Sequence, residues 1–199
     1  MKQIRMMAML AGLVLAAGVA QAVKPGEAAP AFSATDTKGQ TRNLADFKGK
    51  YLVVEWTNPG CPYVQKHYQP GHMQKIQKLC TEKGAAWLTV QTGAAGKDPA
   101  AAGKWNDRAA AAGMAATALI LDTDGSVGRA FGAKTTPHVF VINPEGQVIY
   151  QGAIDDRSGT DQAENAQAKN YVVAALEEAM AGKPVTTSST QPYGCGVKY

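Results

Sequence analysis

The sequence predicts a three-layer α/β fold, and three observations carry that expectation. Apolar, β-branched runs alternate with stretches of helical pattern along the chain, the order expected of a sheet covered by helices. The run Leu52-Val53-Val54-Glu55-Trp56-Thr57 is apolar at alternate positions of both phases, as in a strand buried on both faces. A hairpin and then a long helix close the chain.

Met1 to Ala22 carries Lys2 and Arg5, an apolar stretch from Met6 to Ala20, and the small-x-small triplet Ala20-Gln21-Ala22. This is the pattern of a cleaved secretory signal peptide over residues 1–22, too short in its apolar core for a stable membrane span. The expected domain then runs from 23 to 184, with a tail over 185–199. Phe32–Asp36 and Gln40–Leu44, joined at Lys38-Gly39, read as a small hairpin ahead of the strand Tyr51–Thr57. A helix opens at Pro62, breaks at Pro70-Gly71 and resumes with Met73, Ile76 and Cys80 on one stripe, ending near Lys83 with Gly84 beyond it. Ala86–Thr92 is the next strand, and Gly93–Lys97 is a loop. Asp98-Pro99 caps an Ala-rich helix to about Ala112, a helical insertion. Thr117–Leu121 is a strand and Ser126–Phe131 a short helix. The apolar run after Thr136-Pro137 pairs with Gln147–Ala153 across the turn Asn143–Gly146. One final helix is expected from about Asp161 to Ala181, followed by a mobile tail as far as Pro192.

The formal charge of +4 includes Lys2 and Arg5, and the remaining basic residues are scattered, so no nucleic-acid partner is implied. Export would place Cys61, Cys80 and Cys195 in a compartment where disulfides persist, and an odd number predicts one pair and one free thiol.

Cys61 follows a buried strand and turn residues and precedes Pro62. Proline suits the first helical position, which puts Cys61 at the helix N-cap, where unpaired backbone N–H groups and the helix dipole favour thiolate. It is the candidate nucleophile. Trp56, a short loop, Cys61-Pro62, a helix and, 75 residues on, Thr136-Pro137 opening His138-Val139-Phe140-Val141-Ile142 together resemble the thioredoxin-like superfamily. Within it the chain is similar to the redoxin branch, of the alkyl hydroperoxide reductase/thiol-specific antioxidant type, over roughly residues 25 to 181. The resemblance implies a thioredoxin-like α/β/α sandwich with a cis bond before Pro137, which would sit against Cys61. It also implies a thiol oxidoreductase without a cofactor, acting on a protein disulfide or a hydroperoxide and recharged by an electron donor. Two departures stand out. Val64 occupies the place of the second cysteine of a thioredoxin. Asn58 stands where peroxiredoxins place a Thr, and no Arg is in their position near Thr136-Pro137.

Cys80, on an apolar stripe, is expected to be structural. Cys195 lies in a Gly-flanked tail, and some peroxiredoxins resolve their oxidised cysteine with one near the C-terminus. That parallel implies a Cys61–Cys195 pair, either cycling during catalysis or merely tying down the tail. Glu55 stands six residues before Cys61, as a buried carboxylate does in thioredoxins, and would carry a raised pKa and pass protons. Its alternative is a wet strand edge beside a Lys. Thr57 and Asn58 could bond a peroxide's leaving oxygen. His67, His72 and His138 could join Cys61 in a copper(I) site, as in thioredoxin-like copper chaperones, although residue 65 is Gln where those proteins repeat a cysteine. Asp155, Asp156 and Asp161 lack the spacing of a calcium loop and read as a solvated loop with a helix cap. The expected protein is a periplasmic or secreted thiol oxidoreductase with Cys61, Cys195, Pro137 and Glu55 at its site.

Overall fold

The computed structural model describes residues 22–93 and 99–199. The signal peptide, apart from Ala22, and the Asp98 cap lie outside the described residues. A small antiparallel hairpin, β1 (Ser33–Thr35) and β2 (Thr41–Asn43), precedes the main sheet as expected. The main sheet holds β3 (Leu52–Trp56), β4 (Ala86–Thr92), β5 (Ala118–Asp122), β7 (His138–Ile142) and β8 (Val148–Gly152) in the order β5-β4-β3-β7-β8. β3, β4 and β5 run parallel, whereas β7 and β8 are antiparallel to their neighbours. Two-residue strands β6 (Thr135–Thr136) and β9 (Cys195–Gly196) form a separate antiparallel pair.

The period of two along a strand divides the core. Leu52, Val54 and Trp56 face one cluster with Phe131, Phe140 and Ile142, where Trp56 and Phe140 meet edge to face at 5.5 Å. Val53, Trp87, Val139 and Val141 face the other, under α2 (His72–Glu82) and α5 (Tyr171–Met180), which supply Met73, Ile76, Val172 and Leu176. Helices thus cover both faces of a mixed sheet whose central strand β3 is buried at every residue. Helix α1 (Pro62–Tyr68) ends where expected, and Gly71 takes φ +76° to restart the chain as α2. α3 (Pro99–Ala111) and α4 (Ser126–Phe131) also fall where the pattern placed them.

Two expectations fail. The single helix over 161–181 is a 3₁₀ segment, Gln162–Gln167, followed by α5, with Ala168 extended between them. The break is held by Lys169 N–H donating to Asp156 Oδ1 and by the Asn170 side chain accepting from Val173 N–H, a local cap that competes with helix continuation. The tail is bonded to the body of the domain at several points. Gln151 N–H donates to the Ser188 carbonyl, Thr190 Oγ1 accepts from Ala153 N–H, and Val197 N–H donates to the Lys134 carbonyl. A Ser/Thr-rich segment reads as mobile in sequence, yet here it completes backbone hydrogen bonds that β8 would otherwise leave open.

Candidate active site around Cys61

The loop between β3 and α1 is wound tightly. Cys61 N–H donates to the Asn58 carbonyl at 2.9 Å, Gly60 N–H donates to Asn58 Oδ1 at 2.9 Å, and the Cys61 carbonyl accepts from Val64 and Gln65. Cys61 is therefore the N-cap of α1, with Pro62 at the first helical position. Asn58 spends its side-chain oxygen on the turn.

The Thr136-Pro137 bond is cis, and the Thr136 carbonyl accepts the Cys61 thiol at 3.1 Å. On the other side of Thr136 lies Cys195, its direct partner in the β6–β9 pair. The chain can come this close only because residue 194 is glycine. Gly194 has φ +130°, and a Cβ there would stand 2.1 Å from the Thr136 carbonyl oxygen. The result is that the Cys195 thiol lies within hydrogen-bond reach of the Cys61 thiol, 134 positions away in the chain. All three cysteines are free thiols, Cys61 buried and Cys195 partly exposed.

The two thiols are electrostatically unequal. Burial pushes the Cys61 thiol up, but hydrogen bonds from the Cys195 thiol, the Thr136 hydroxyl and the Cys195 and Val64 backbones outweigh it, and its pKa falls below that of an ordinary thiol. Burial and the hydrogen bond and charge of Cys61 push Cys195 up to about 11. One sulfur is prepared to hold the negative charge, while the other keeps its proton and donates it. Cys80 lies on the buried face of α2, and burial pushes its thiol up to about 12, which agrees with the structural expectation.

Glu55 lies apart from the sulfur pair, fully buried on the α2 face of β3. Both carboxyl oxygens accept from Tyr68 Oη, at 2.9 and 2.8 Å, and Oε2 also accepts from Trp87 Nε1 at 3.0 Å and Thr89 Oγ1 at 3.3 Å. Burial, opposed by these bonds, raises its pKa to about 7. The wet strand edge with a lysine is not found. Tyr68 links this carboxyl to a groove of about 740 Å³, which Thr57, Pro59, Gly60 and Val64 line beside Cys61, with Trp105, Arg108 and Met114 of the opposite wall.

The histidines do not gather around Cys61. His138 is buried, with Nδ1 accepting from Lys134 N–H at 3.2 Å and Nε2 3.1 Å from Gln151 Oε1, so both ring nitrogens are engaged. His67 and His72 lie instead with Asp155. Asp155 is buried, unlike the solvated loop residue expected, while Asp161 does cap a helical segment by accepting from Ala163 N–H. Tyr193, which sequence reasoning passed over, joins the tail to this region. Its hydroxyl donates to Asp155 Oδ1 and meets His67 Nε2 at 3.2 Å.

A mixed sheet between helical layers, with a cysteine at a helix N-cap against a cis-proline, defines a thioredoxin-like protein. The Redoxin family pattern matches residues 24–170, and the chain belongs to that family. Thiol-disulfide oxidoreductase ResA of Bacillus subtilis (strain 168) is 25% identical over 136 residues, covering 65% of this chain and 67% of that protein. Among solved structures, a hypothetical protein from Sinorhizobium meliloti 1021 superposes with a TM-score of 0.75 at 24% identity, over 90% of this chain and 96% of its own. An uncharacterized conserved protein from Geobacillus kaustophilus gives 0.76 at 21% identity, over 88% and 92%. The thioredoxin domain of a thiol-disulfide oxidoreductase from Bacteroides vulgatus gives 0.53 at 23% identity, over 73% and 97%. These structural likenesses concern the fold.

Proposed function

We propose that this redoxin is a thiol-disulfide oxidoreductase whose redox pair is Cys61 and Cys195. The observation that carries the reading is the contact of the two thiols beside the Thr136-Pro137 bond, with opposite pKa displacements. The likeness to ResA supports the substrate class. The Cys61 thiolate attacks one sulfur of a substrate disulfide, forming a mixed disulfide and releasing the other sulfur as thiolate. Once Cys61 is a neutral disulfide sulfur, its charge no longer raises the Cys195 pKa. Cys195 then gives its proton to the departing thiolate and attacks Cys61. The second substrate sulfur leaves as a thiolate that takes its proton from water, and the chain holds a Cys61–Cys195 disulfide, which a donor dithiol reduces. Cys61 is only 1% exposed, so the attack requires the two-residue strand β9, which follows Gly194 and ends in Gly196, to move aside.

Pro137 shapes the approach to the sulfur, and Glu55 acts at one remove through Tyr68 as a positioning and proton-holding residue. The domain over 23–184 would carry the nucleophile and the 185–199 tail its resolving partner. The leader over 1–22 would place the protein in the periplasm or outside the cell. Among the described residues no helix is long and apolar enough to cross a membrane.

Reduced protein mixed with a small disulfide and quenched with a thiol trap tests the scheme. Wild type should give the internal disulfide, Cys195→Ser should stop at a mixed disulfide on Cys61, and Cys61→Ser should not react. Unimpaired turnover by Cys195→Ser would remove the resolving role. Hydrogen peroxide in the same assay tests the peroxidase reading, for which sulfenic acid on Cys61 of the Cys195→Ser variant is the expected product.

A further inference from the structure

Away from the sulfur pair, three side chains bring unpartnered polar atoms close together. His67 of α1, His72 at the start of α2 and Asp155 after β8 each place one ligand atom within 4.8 Å of the others. His67 Nδ1, His72 Nε2 and Asp155 Oδ2 are all buried and without hydrogen-bond partners. Unpartnered buried polar atoms are uncommon, and three converging on one point call for a shared partner.

The hydrogen bonds around the cluster fix what that partner must be. Tyr193 Oη gives its only proton to Asp155 Oδ1, so it can only accept from His67, and His67 carries its proton on Nε2. Nδ1 is then a bare lone pair facing Asp155 Oδ2 across 4.0 Å, too far for a hydrogen bond. His67 Nδ1, Asp155 Oδ2 and His72 Nε2 thus confront one another where a cation would satisfy all three. We propose that His67 Nδ1, His72 Nε2 and Asp155 Oδ2 form a binding site for a divalent first-row transition metal of the zinc class, with a fourth position open.

Two imidazoles and one carboxylate suit such a metal, whereas calcium and magnesium require more oxygen ligands. Bonds of about 2.0–2.2 Å place tetrahedral ligands about 3.3 Å apart, so the cluster must contract by roughly 1.5 Å or less. His72 is only partly buried, at the first residue of its helix, and can make that adjustment. An outer shell is already in place: the second nitrogen of His67 donates to Tyr193, which donates to the second oxygen of Asp155, and Arg157 N–H donates to the same oxygen at 3.0 Å. Tyr193 lies two residues before Cys195, so the same site anchors the tail. None of these ligands takes part in the thiol chemistry proposed above.

Titration of the full chain with Co²⁺, followed by displacement with Zn²⁺, tests the site. A Cys61→Ser/Cys195→Ser background excludes binding by the thiols. One equivalent should bind with tetrahedral d–d bands and without sulfur charge-transfer absorption, and His72→Ala, at a partly exposed position, should weaken binding at least tenfold. Asp155→Asn should do the same with little change of shape. Absence of a stoichiometric complex, or binding that His72→Ala leaves intact in a folded protein, would overturn the proposal and leave the gap to water.

Discussion

Glu55→Gln isolates the cost of burying a carboxyl group in the central strand. In the folded protein Glu55 titrates at about 7, against 4.5 for the ordinary group, chiefly because burial penalises the ion more than Tyr68, Trp87, Thr89 and Gln77 stabilise it. Below pH 4.5 the carboxyl is protonated in both states. As pH rises from 4.5 to 7 the unfolded chain gives up its proton first, so this group's contribution to stability falls across that window and is level above it. At 1.36 kcal/mol per pH unit the loss amounts to about 3 kcal/mol. Glutamine keeps an oxygen at the Oε2 position for Trp87, Thr89 and Tyr68 and places its amide at the Oε1 position, where it can donate to the Tyr68 hydroxyl, so its shape and polarity fit the pocket. Urea unfolding of both proteins, followed by tryptophan fluorescence at pH 5 and pH 8, gives the change directly. Other groups, including the buried His67 and His138, titrate in both proteins and cancel in the difference. Part of the loss is already present at pH 5, where the unfolded carboxyl is mostly ionised, so relative to wild type the variant should gain about 2.5 kcal/mol between pH 5 and pH 8. A difference that does not change with pH would show that Glu55 has no raised pKa, and the proton-holding role would fall with it.

Other perturbations bear on the sulfur pair and its surroundings. Gly194→Ala drives a Cβ into the Thr136 carbonyl at a positive φ, and should slow formation of the internal disulfide at least tenfold while leaving Cys61 open to alkylation. Cys195→Ser replaces the thiol beside Cys61 with a shorter donor, so the pH midpoint of Cys61 alkylation should rise and its rate at pH 7 should drop. An unchanged midpoint would mean that the hydrogen bond contributes nothing. Cys80 should resist iodoacetamide at pH 8 until the chain unfolds, and Cys80→Ala should leave disulfide formation unaffected at a stability cost of about 1 kcal/mol, read from urea midpoints.

Much of this arrangement was legible in the residues. The all-apolar run of β3, Pro62 at the first helical position and Gly71 at the break each impose a local geometry, so Cys61 at an N-cap and the split into α1 and α2 could be read without the fold. For Glu55 the run left two readings, a buried acid as in thioredoxins or a wet strand edge, and only the central place of β3 in the sheet decides for burial. What failed depended on contacts distant in sequence. The helix over 161–181 is interrupted because Asp156 and Asn170 supply competing bonds, and a composition of good helix formers carries no trace of them. The tail looked mobile because its Ser and Thr residues have no periodicity, while their partners lie on β8, 37 to 40 residues earlier. The His67, His72 and Asp155 cluster joins residues 88 positions apart, and the only local signal was the pair of histidines five residues apart on a helix–turn–helix segment.

The most direct measurement is thiol mapping of the reduced protein after brief exposure to one equivalent of a small disulfide. The account predicts a single new cross-link, Cys61–Cys195, with Cys80 remaining a thiol. If Cys61 is oxidised while Cys195 stays free, or if the cross-link forms through Cys80, the two-cysteine mechanism is wrong.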